Sequence, residues 1–324
     1  MLFFLLRRLV FAGFLVFAVS SASLLLAELA PGDYVTGTLG FSATPEEMAA
    51  LRARYGLDRP LAEQYVDWLA RAARFDFGRS LANGRPVADL ISEAAANTAL
   101  LATTALVLAT FIGLPLGVFS GARAGGVLPG MVRAASVFLL SMPPLLTSLF
   151  LVFLAARTGW FPIGGMSSIG PGGPGGNMES FEYVAIDLLR HMVVPVLALA
   201  LPLSAMFERL QAQATAEVIA QPYVLATLAR GVPRSRVVWR DALKAALRPV
   251  ASIYGLVVGT LLSGSFAVEV ITTWPGLGSL MLNALRARDV YLVAGCAAAG
   301  SIFLAAGTLV SDAALALVDP RARE

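Results

Sequence analysis

The stretch NTALLATTALVLATFIGLPLGVF, residues 97–119, contains no charged residue. An α-helix rises 1.5 Å per residue, so about 20 apolar residues cross the hydrocarbon layer of a bilayer, and this stretch reads as a membrane-spanning helix. The composition agrees with it. Of the 324 residues, 57% are apolar and 14% charged, and the mean hydropathy is +0.75; a soluble domain carries about 25% charged residues. The expected fold class is an all-α integral membrane protein.

Apolar stretches near residues 1–29, 134–156, 188–207, 249–271 and 290–318 bring the expected transmembrane helices to six. The first begins like a secretory signal. Its apolar run is too long for one, however, and Glu28 interrupts the small-residue exit at Ala27-Glu28-Leu29-Ala30, so it reads as an uncleaved span. Residues 31–96 are polar, with seven arginines against nine acidic residues, and Thr44-Pro45-Glu46-Glu47 signals a helix start. Segments of this length translocate with little regard to charge, which makes this a small helical extracytoplasmic domain between spans 1 and 2.

Arg7, Arg8, Arg123, Arg133, Arg209, the basic residues between 230 and 248, Arg321 and Arg323 then fall on one side. The short loops of the other side hold only Arg157, Arg190, Arg286 and Arg288. The positive-inside rule places both termini in the cytoplasm. The expected organisation is residues 1–30 as N-terminus and first span, 31–96 as the outer domain, 97–318 as the transmembrane core with a cytoplasmic loop at 208–248, and 319–324 as a cytoplasmic tail.

On the expected cytoplasmic side, the longest charged interval between two spans runs from Gln221 to Pro249. Pro222 suits the first turn of a helix and Gly231 the left-handed residue that ends one, so a short helix is predicted over Tyr223 to Arg230. A second helix is predicted from about Ser235 to Arg248. On it Arg236, Arg240, Lys244 and Arg248 recur every four residues along one face, with Val237, Val238, Leu243, Ala246 and Leu247 on the remainder. The whole stretch reads as a docking element.

Several kinds of chemistry are excluded. Lys244 is the only lysine and has no Gly-rich loop before it, so no Walker A phosphate site exists. With one histidine and one cysteine there is no zinc motif and no intramolecular disulfide. His191 reads as an interfacial residue and Cys296 as a small buried hydrophobe. The basic residues follow membrane orientation, and a nucleic-acid role has no support. Glu269 and Asp312 stand at membrane depth, where a carboxylate invites a functional reading, yet both lie near a span end, where hydration serves equally well. Pro115, Pro143, Pro144, Pro195 and Pro202 interrupt spans, through packing kinks or beside a pathway.

Leu6-Arg7-Arg8-Leu9, Ala30-Pro31-Gly32-Asp33, Tyr55-Gly56-Leu57-Asp58-Arg59-Pro60-Leu61 and Asp76-Phe77-Gly78-Arg79-Ser80 are followed in order by Gly113-Leu114-Pro115-Leu116-Gly117-Val118, Ser141-Met142-Pro143-Pro144, Trp274-Pro275-Gly276-Leu277-Gly278, Ala287-Arg288-Asp289-Val290-Tyr291 and Asp319-Pro320-Arg321. In that order and spacing the chain resembles, nearly end to end, the inner-membrane permease subunits of binding-protein-dependent ABC importers. The likeness is to the B-type subunit of the dipeptide, oligopeptide and nickel group.

The resemblance implies a bacterial plasma (inner) membrane location and one half of a pathway that alternates its access. It implies as partners a second, C-type permease subunit, ABC ATP-binding subunits and an extracytoplasmic solute-binding protein. ATP and Mg²⁺ would be used by those partners, with no cofactor bound by this chain. The Gln221–Pro249 stretch is similar to the EAA loop. That likeness implies ATPase-coupling roles for Tyr223, Val224, Leu225, Ala226, Thr227, Ala229, Gly231 and Arg234. Arg236, Arg240, Lys244 and Arg248 would anchor the second helix to membrane lipid at the anionic inner surface. Leu225 and Leu228 stand where the family usually carries basic residues, and Leu225-Ala226-Thr227 replaces the E-A-A triplet, which leaves coupling by shape and apolar contact. Pro143, Pro144, Glu269 and Asp312 are the candidate pathway or gate residues. Peptides are the implied substrate; the same architecture also serves nickel, glutathione and other small solutes, and a proton-coupled carrier is the alternative of a different class.

Overall fold

Along α5 (Val87–Gly121) the positions Leu101, Ala105, Ala109, Gly113, Gly117 and Gly121 form a stripe with one residue every four. The computed structural model, which describes residues 2–29, 32–39, 44–72, 74, 76–123, 125–168 and 181–318, shows what that stripe is for. As its side chains shrink from Leu to Ala to Gly, the backbone of α8 (Phe181–Ile219) closes in on it. A Cβ at Gly113 would stand 2.5 Å from the carbonyl oxygen of Ser204, and one at Gly117 would stand 2.6 Å from that of Glu208; at Gly121 it would strike the Ala212 carbonyl. Small residues at this spacing let membrane helices approach backbone to backbone, where dispersion replaces the hydrophobic effect that lipid cannot supply.

By internal contact the chain divides into two units. One comprises residues 99–274 and the chain from 306 onward, the other residues 2–98 and 275–305. In the first, α8 is the scaffold: α6 (Val127–Ser141), α7 (Pro144–Thr158) and α12 (Arg248–Ile271) all pack on it. Leu101, Ala105 and Ala109 of α5, Met192, Val196, Leu199, Leu203 and Phe207 of α8, and Val250, Val257, Leu261 and Val268 of α12 make its core. His191, expected at an interface, is buried there; its Nδ1 lies 2.8 Å from the Asp187 carbonyl oxygen.

The third expected span, residues 134–156, is not one helix. α6 ends at Ser141, Met142 is extended, and α7 starts at Pro144 after a bend of 103°. Each proline disfavours helical backbone in the residue before it and removes an N–H donor, so Pro143-Pro144 forces a break instead of a kink. Pro115, Pro195 and Pro202 stay inside continuous helices. Among the described residues, three helices are long and apolar enough to cross a membrane, within Val87–Gly121, Glu182–Ile219 and Val290–Leu309, or up to five if each bent pair counts as one span.

In the second unit, α3 (Pro45–Tyr55) begins with the expected Thr44–Glu47 capping box and ends on left-handed Gly56. Partial burial pushes the Asp33 carboxyl up, but the Arg52 guanidinium, 2.6 Å away, and hydrogen bonds from Thr36 outweigh it and leave it lowered to about 2. Trp68 of α4 (Leu61–Ala72) packs among Leu24, Leu81, Val87 and Tyr291. Residues 272–289, which lie between the expected spans 249–271 and 290–318, contain helix α13 (Leu277–Ala287), whose first N–H, that of Leu277, donates to Thr98 Oγ1 at 2.8 Å. Asp289 caps α14 (Val290–Val318) and accepts hydrogen bonds from Ser80 Oγ, the Ala82 N–H and the Leu292 N–H. Cys296 is buried, as expected. The Gly- and Pro-rich stretch from Ile163 to Asn177, which reads from its composition as a flexible linker, lies outside the described residues from position 169 on, as does the tail 319–324.

The stripe makes a direct prediction. Gly117→Ala places a methyl against backbone and should destabilise the purified protein by about 1–3 kcal/mol, read as a lower Tm in detergent. Gly130→Ala on α6, where nothing lies within 4 Å, should leave Tm unchanged or raise it through a helix-propensity gain of up to about 1 kcal/mol.

Candidate functional site

α8 ends at Ile219, and Gln221, in extended conformation at φ −71° and ψ 143°, turns the chain into α9 (Pro222–Ala229), with Pro222 at the first position. Gly231 follows at φ +84°. No atom lies within 4 Å of where its Cβ would be, so the backbone angle alone calls for glycine. These are the start and stop that the sequence signals.

The helix has two faces. Val224 is fully buried against the chain that packs beneath α9, and it anchors the helix instead of joining its outer surface. Tyr223 and Leu225 are half exposed, and Ala226 and Ala229 are exposed. Thr227 lies between the faces; its hydroxyl donates to the Tyr223 carbonyl at 2.9 Å and accepts from Arg230 at 3.0 Å. The outer face from Tyr223 to Ala229 is therefore uncharged and short-chained apart from two large apolar groups.

Beyond Gly231 the expected continuous helix is interrupted. α10 (Arg234–Arg236) passes into a π-helical turn, Val237–Ala242, then α11 (Leu243–Ala246), and Leu247 leads into α12. Val237, Val238, Ala242 and Ala246 are buried, while Arg236, Arg240, Lys244 and Arg248 are all exposed. In a regular α-helix a four-residue spacing drifts by about 40° per step, and the wider π turn offsets that drift, so the basic stripe stays on the outside. Arg234 turns elsewhere. Its guanidinium donates to the Ala122 carbonyl at 2.8 Å, just past the last turn of α5, where a cation meets the unpaired carbonyls of a helix end.

The other expected residues are dispersed. Pro143 and Pro144 form the α6–α7 break. Glu269 is fully buried near the end of α12, and its carbonyl accepts the Trp274 N–H at 2.9 Å. Asp312 belongs to α14, but its side chain lies outside the described residues. Among the described residues no group of acidic, histidine or cysteine side chains could hold a metal ion.

Sequence reasoning missed Glu208, Gln211 and Thr215, all buried on α8, with Ser120 of α5 donating to Glu208 Oε1 and Gln211 Nε2 donating to Thr215 Oγ1. The apolar window of that span ends at residue 207, which leaves Glu208 in the expected cytoplasmic loop 208–248. The signal that would have found it is the four-residue glycine spacing, which extends the helix contact beyond the apolar window.

Residues 113–324 match the family described as binding-protein-dependent transport system inner membrane component, and residues 1–102 match the N-terminal part described for such membrane components. The chain is 29% identical over 320 residues to an oligopeptide transport system permease protein of Bacillus subtilis, covering 98% of each chain. It is 31% identical over 325 residues to a putative peptide permease protein of Brucella suis, covering 99% of each. With a dipeptide transport system permease protein of Escherichia coli it shares 29% identity over 341 residues, 100% of this chain and 99% of the other.

The two faces of α9 can be told apart experimentally. Val224→Asp buries an unpaired charge, which costs several kcal/mol, and should raise the rate of tryptic cleavage at Arg230 by at least about tenfold through local unfolding. Leu225→Asp, on the outer face, should leave that rate unchanged.

Proposed function

The chain belongs to the family of binding-protein-dependent transport system inner membrane components, and on that premise we propose that it forms half of the translocation pathway of an ATP-driven peptide importer, with α9 as the element that couples it to an ATPase. The observation that carries this reading is the outer face of α9: an uncharged surface, seated by Val224 and aimed by the left-handed turn at Gly231. Such a helix fits a groove by shape, and a change in the groove's position moves α8 and α12 through the short connections at 219–222 and 230–248. The names of the relatives support peptides as the substrate.

On this reading the chain crosses the membrane six times, through α1 (Leu2–Leu29), α5, the broken α6–α7 pair, α8, α12 and α14. The segment 31–96 is extracytoplasmic and both termini are cytoplasmic. A C-type permease subunit completes the pathway, ABC ATP-binding subunits supply ATP and Mg²⁺ chemistry, and a solute-binding protein delivers peptide from outside. Tyr223, Leu225, Ala226 and Ala229 make the ATPase contact; Arg236, Arg240, Lys244 and Arg248 face lipid phosphates. The Pro143-Pro144 break, Glu269 and Asp312 are the candidate gate.

Two measurements test this. Proline fixes φ near −65°, so Gly231→Pro cannot adopt the turn. In vesicles holding the complete importer it should reduce ATP-dependent peptide uptake to background while the protein still inserts; uptake and binding-protein-stimulated ATP hydrolysis at wild-type rates would refute the coupling role. Uptake by this chain alone, driven by a proton gradient, would favour a carrier. For topology, a reporter fused after Gly84 should register the outside and one after Arg234 the cytoplasm, and the reverse pattern would overturn the orientation.

A further inference from the structure

Where the C-terminal end of α5 meets α6 and α8, a cavity of about 400 Å³ opens, lined among others by Ser120, Arg123, Arg133, Val137, Glu208 and Arg209. Two features of this cavity point to a ligand. The first is its charge. Arg123, Arg133 and Arg209 come from three different segments, all are exposed, and none forms an ion pair with a carboxylate among the described residues. Arg133 Nε donates only to the Pro129 carbonyl of its own helix, and the Arg123 guanidinium lies 4.4 Å from the centroid of the Phe119 ring.

The second is Glu208. It is 1% exposed, Ser120 Oγ donates to its Oε1, and its Oε2 has no hydrogen-bond partner among the described residues. A buried carboxylate that is only half satisfied is costly unless a donor, preferably a cation, completes it. The lining of one cavity thus combines three guanidiniums that have no carboxylate partner among the described residues with a buried glutamate, one of whose carboxylate oxygens lacks a donor there. The complement is a molecule with an anionic group and, a few bonds away, an ammonium carrying N–H.

The surroundings indicate how such a molecule is attached. Val137, on the cavity wall, continues the exposed apolar surface of α6 formed by Val127, Leu128, Met131 and Phe138. A neighbouring cavity of about 230 Å³ shares Arg123 and adds Arg234 and the half-exposed Trp239, a side chain favoured at the headgroup level of a bilayer. Headgroup chemistry and acyl-chain chemistry adjoin.

We propose that this cavity is a phospholipid headgroup site selective for phosphatidylethanolamine: the phosphate is held by Arg123, Arg133 and Arg209, the primary ammonium donates to Glu208, and the acyl chains lie along α6. The site is distinct from the coupling surface of α9, and its occupation would fill the space beside the α5–α8 contact with a lipid that stays with the protein.

The test measures binding alone, so its failure and the failure of the transport reading are separate results. The full chain, purified and delipidated in detergent, is titrated with short-chain phosphatidylethanolamine, phosphatidylcholine and phosphatidylglycerol, and with free phosphoethanolamine. A hydrogen bond to a charged group contributes about 1.5–3 kcal/mol, so the wild type should bind phosphatidylethanolamine at least about tenfold tighter than phosphatidylcholine, whose quaternary nitrogen has no N–H. Glu208→Gln should abolish that preference while binding of phosphatidylglycerol, which needs no carboxylate, is retained and reports an intact site. Arg133→Gln should weaken all three lipids together. If Glu208→Gln does not fold, Glu208→Asp, which keeps the charge but withdraws it, should narrow the preference. Equal binding of phosphatidylethanolamine and phosphatidylcholine by the wild type, or a preference untouched by the Glu208 variants, would overturn the proposal. Free phosphoethanolamine bound as tightly as the lipid would overturn the lipid source and leave a soluble phosphate ester as the ligand.

Discussion

The α5–α8 contact sets the terms for the half of the chain that contains α9. At Gly113, Gly117 and Gly121 there is no space for a methyl group, and the atoms that would be struck are mostly backbone, which cannot swing aside. Close approach fixes the axial register of the two helices, because a shift of one residue would bring a side chain where only hydrogen fits. It also buries whatever polar group α8 presents at that level. Ser120 can reach Glu208 because the glycines on either side of it bring the helices together.

α9 is tied closely to the α5–α8 pair. α8 is one helix from Phe181 to Ile219, with Pro195 and Pro202 absorbed inside it, and α9 follows after a two-residue connection. Displacement of α9 therefore reaches α8 with little slack. Arg234 adds a second attachment, to the carbonyl of Ala122 at the end of α5, so both members of the pair are tied to the same loop from opposite sides of Gly231. In the structure Arg234 thus braces the loop against the end of α5.

Local signals were legible in the sequence wherever backbone chemistry alone decides. Pro222 and Gly231 bracket α9, and Thr44 and Glu47 start α3, because caps and left-handed turns need particular residues. Hydropathy windows gave the presence of most apolar helices but not their direction. Residues 127–158 pass an apolarity test as a pair while bending by 103°, since a window counts side chains and is blind to a missing N–H. The π turn at Val237–Ala242 has no compositional mark: valine, tryptophan and alanine are acceptable in α and π alike. α13 has no sequence mark at its start, since Gly276 lacks a capping side chain; a hydroxyl from distant Thr98 meets the first N–H instead.

Three buried carboxylates show why the sequence alone does not say which acidic residue matters. Asp289 looks costly, at 0% exposure, yet Ser80, Ala82 and Leu292 supply three donors, two of them backbone N–H groups fixed by the fold, and it is fully accounted for as a cap and clasp. Glu269, equally buried, also has partners. Glu208 has a single donor on one oxygen and none on the other. Burial is common to all three, so burial does not mark a site. What separates them is whether the fold itself completes the hydrogen bonds, and a group the fold leaves incomplete, beside unpaired cations and an open cavity, is the one whose missing partner comes from outside the chain.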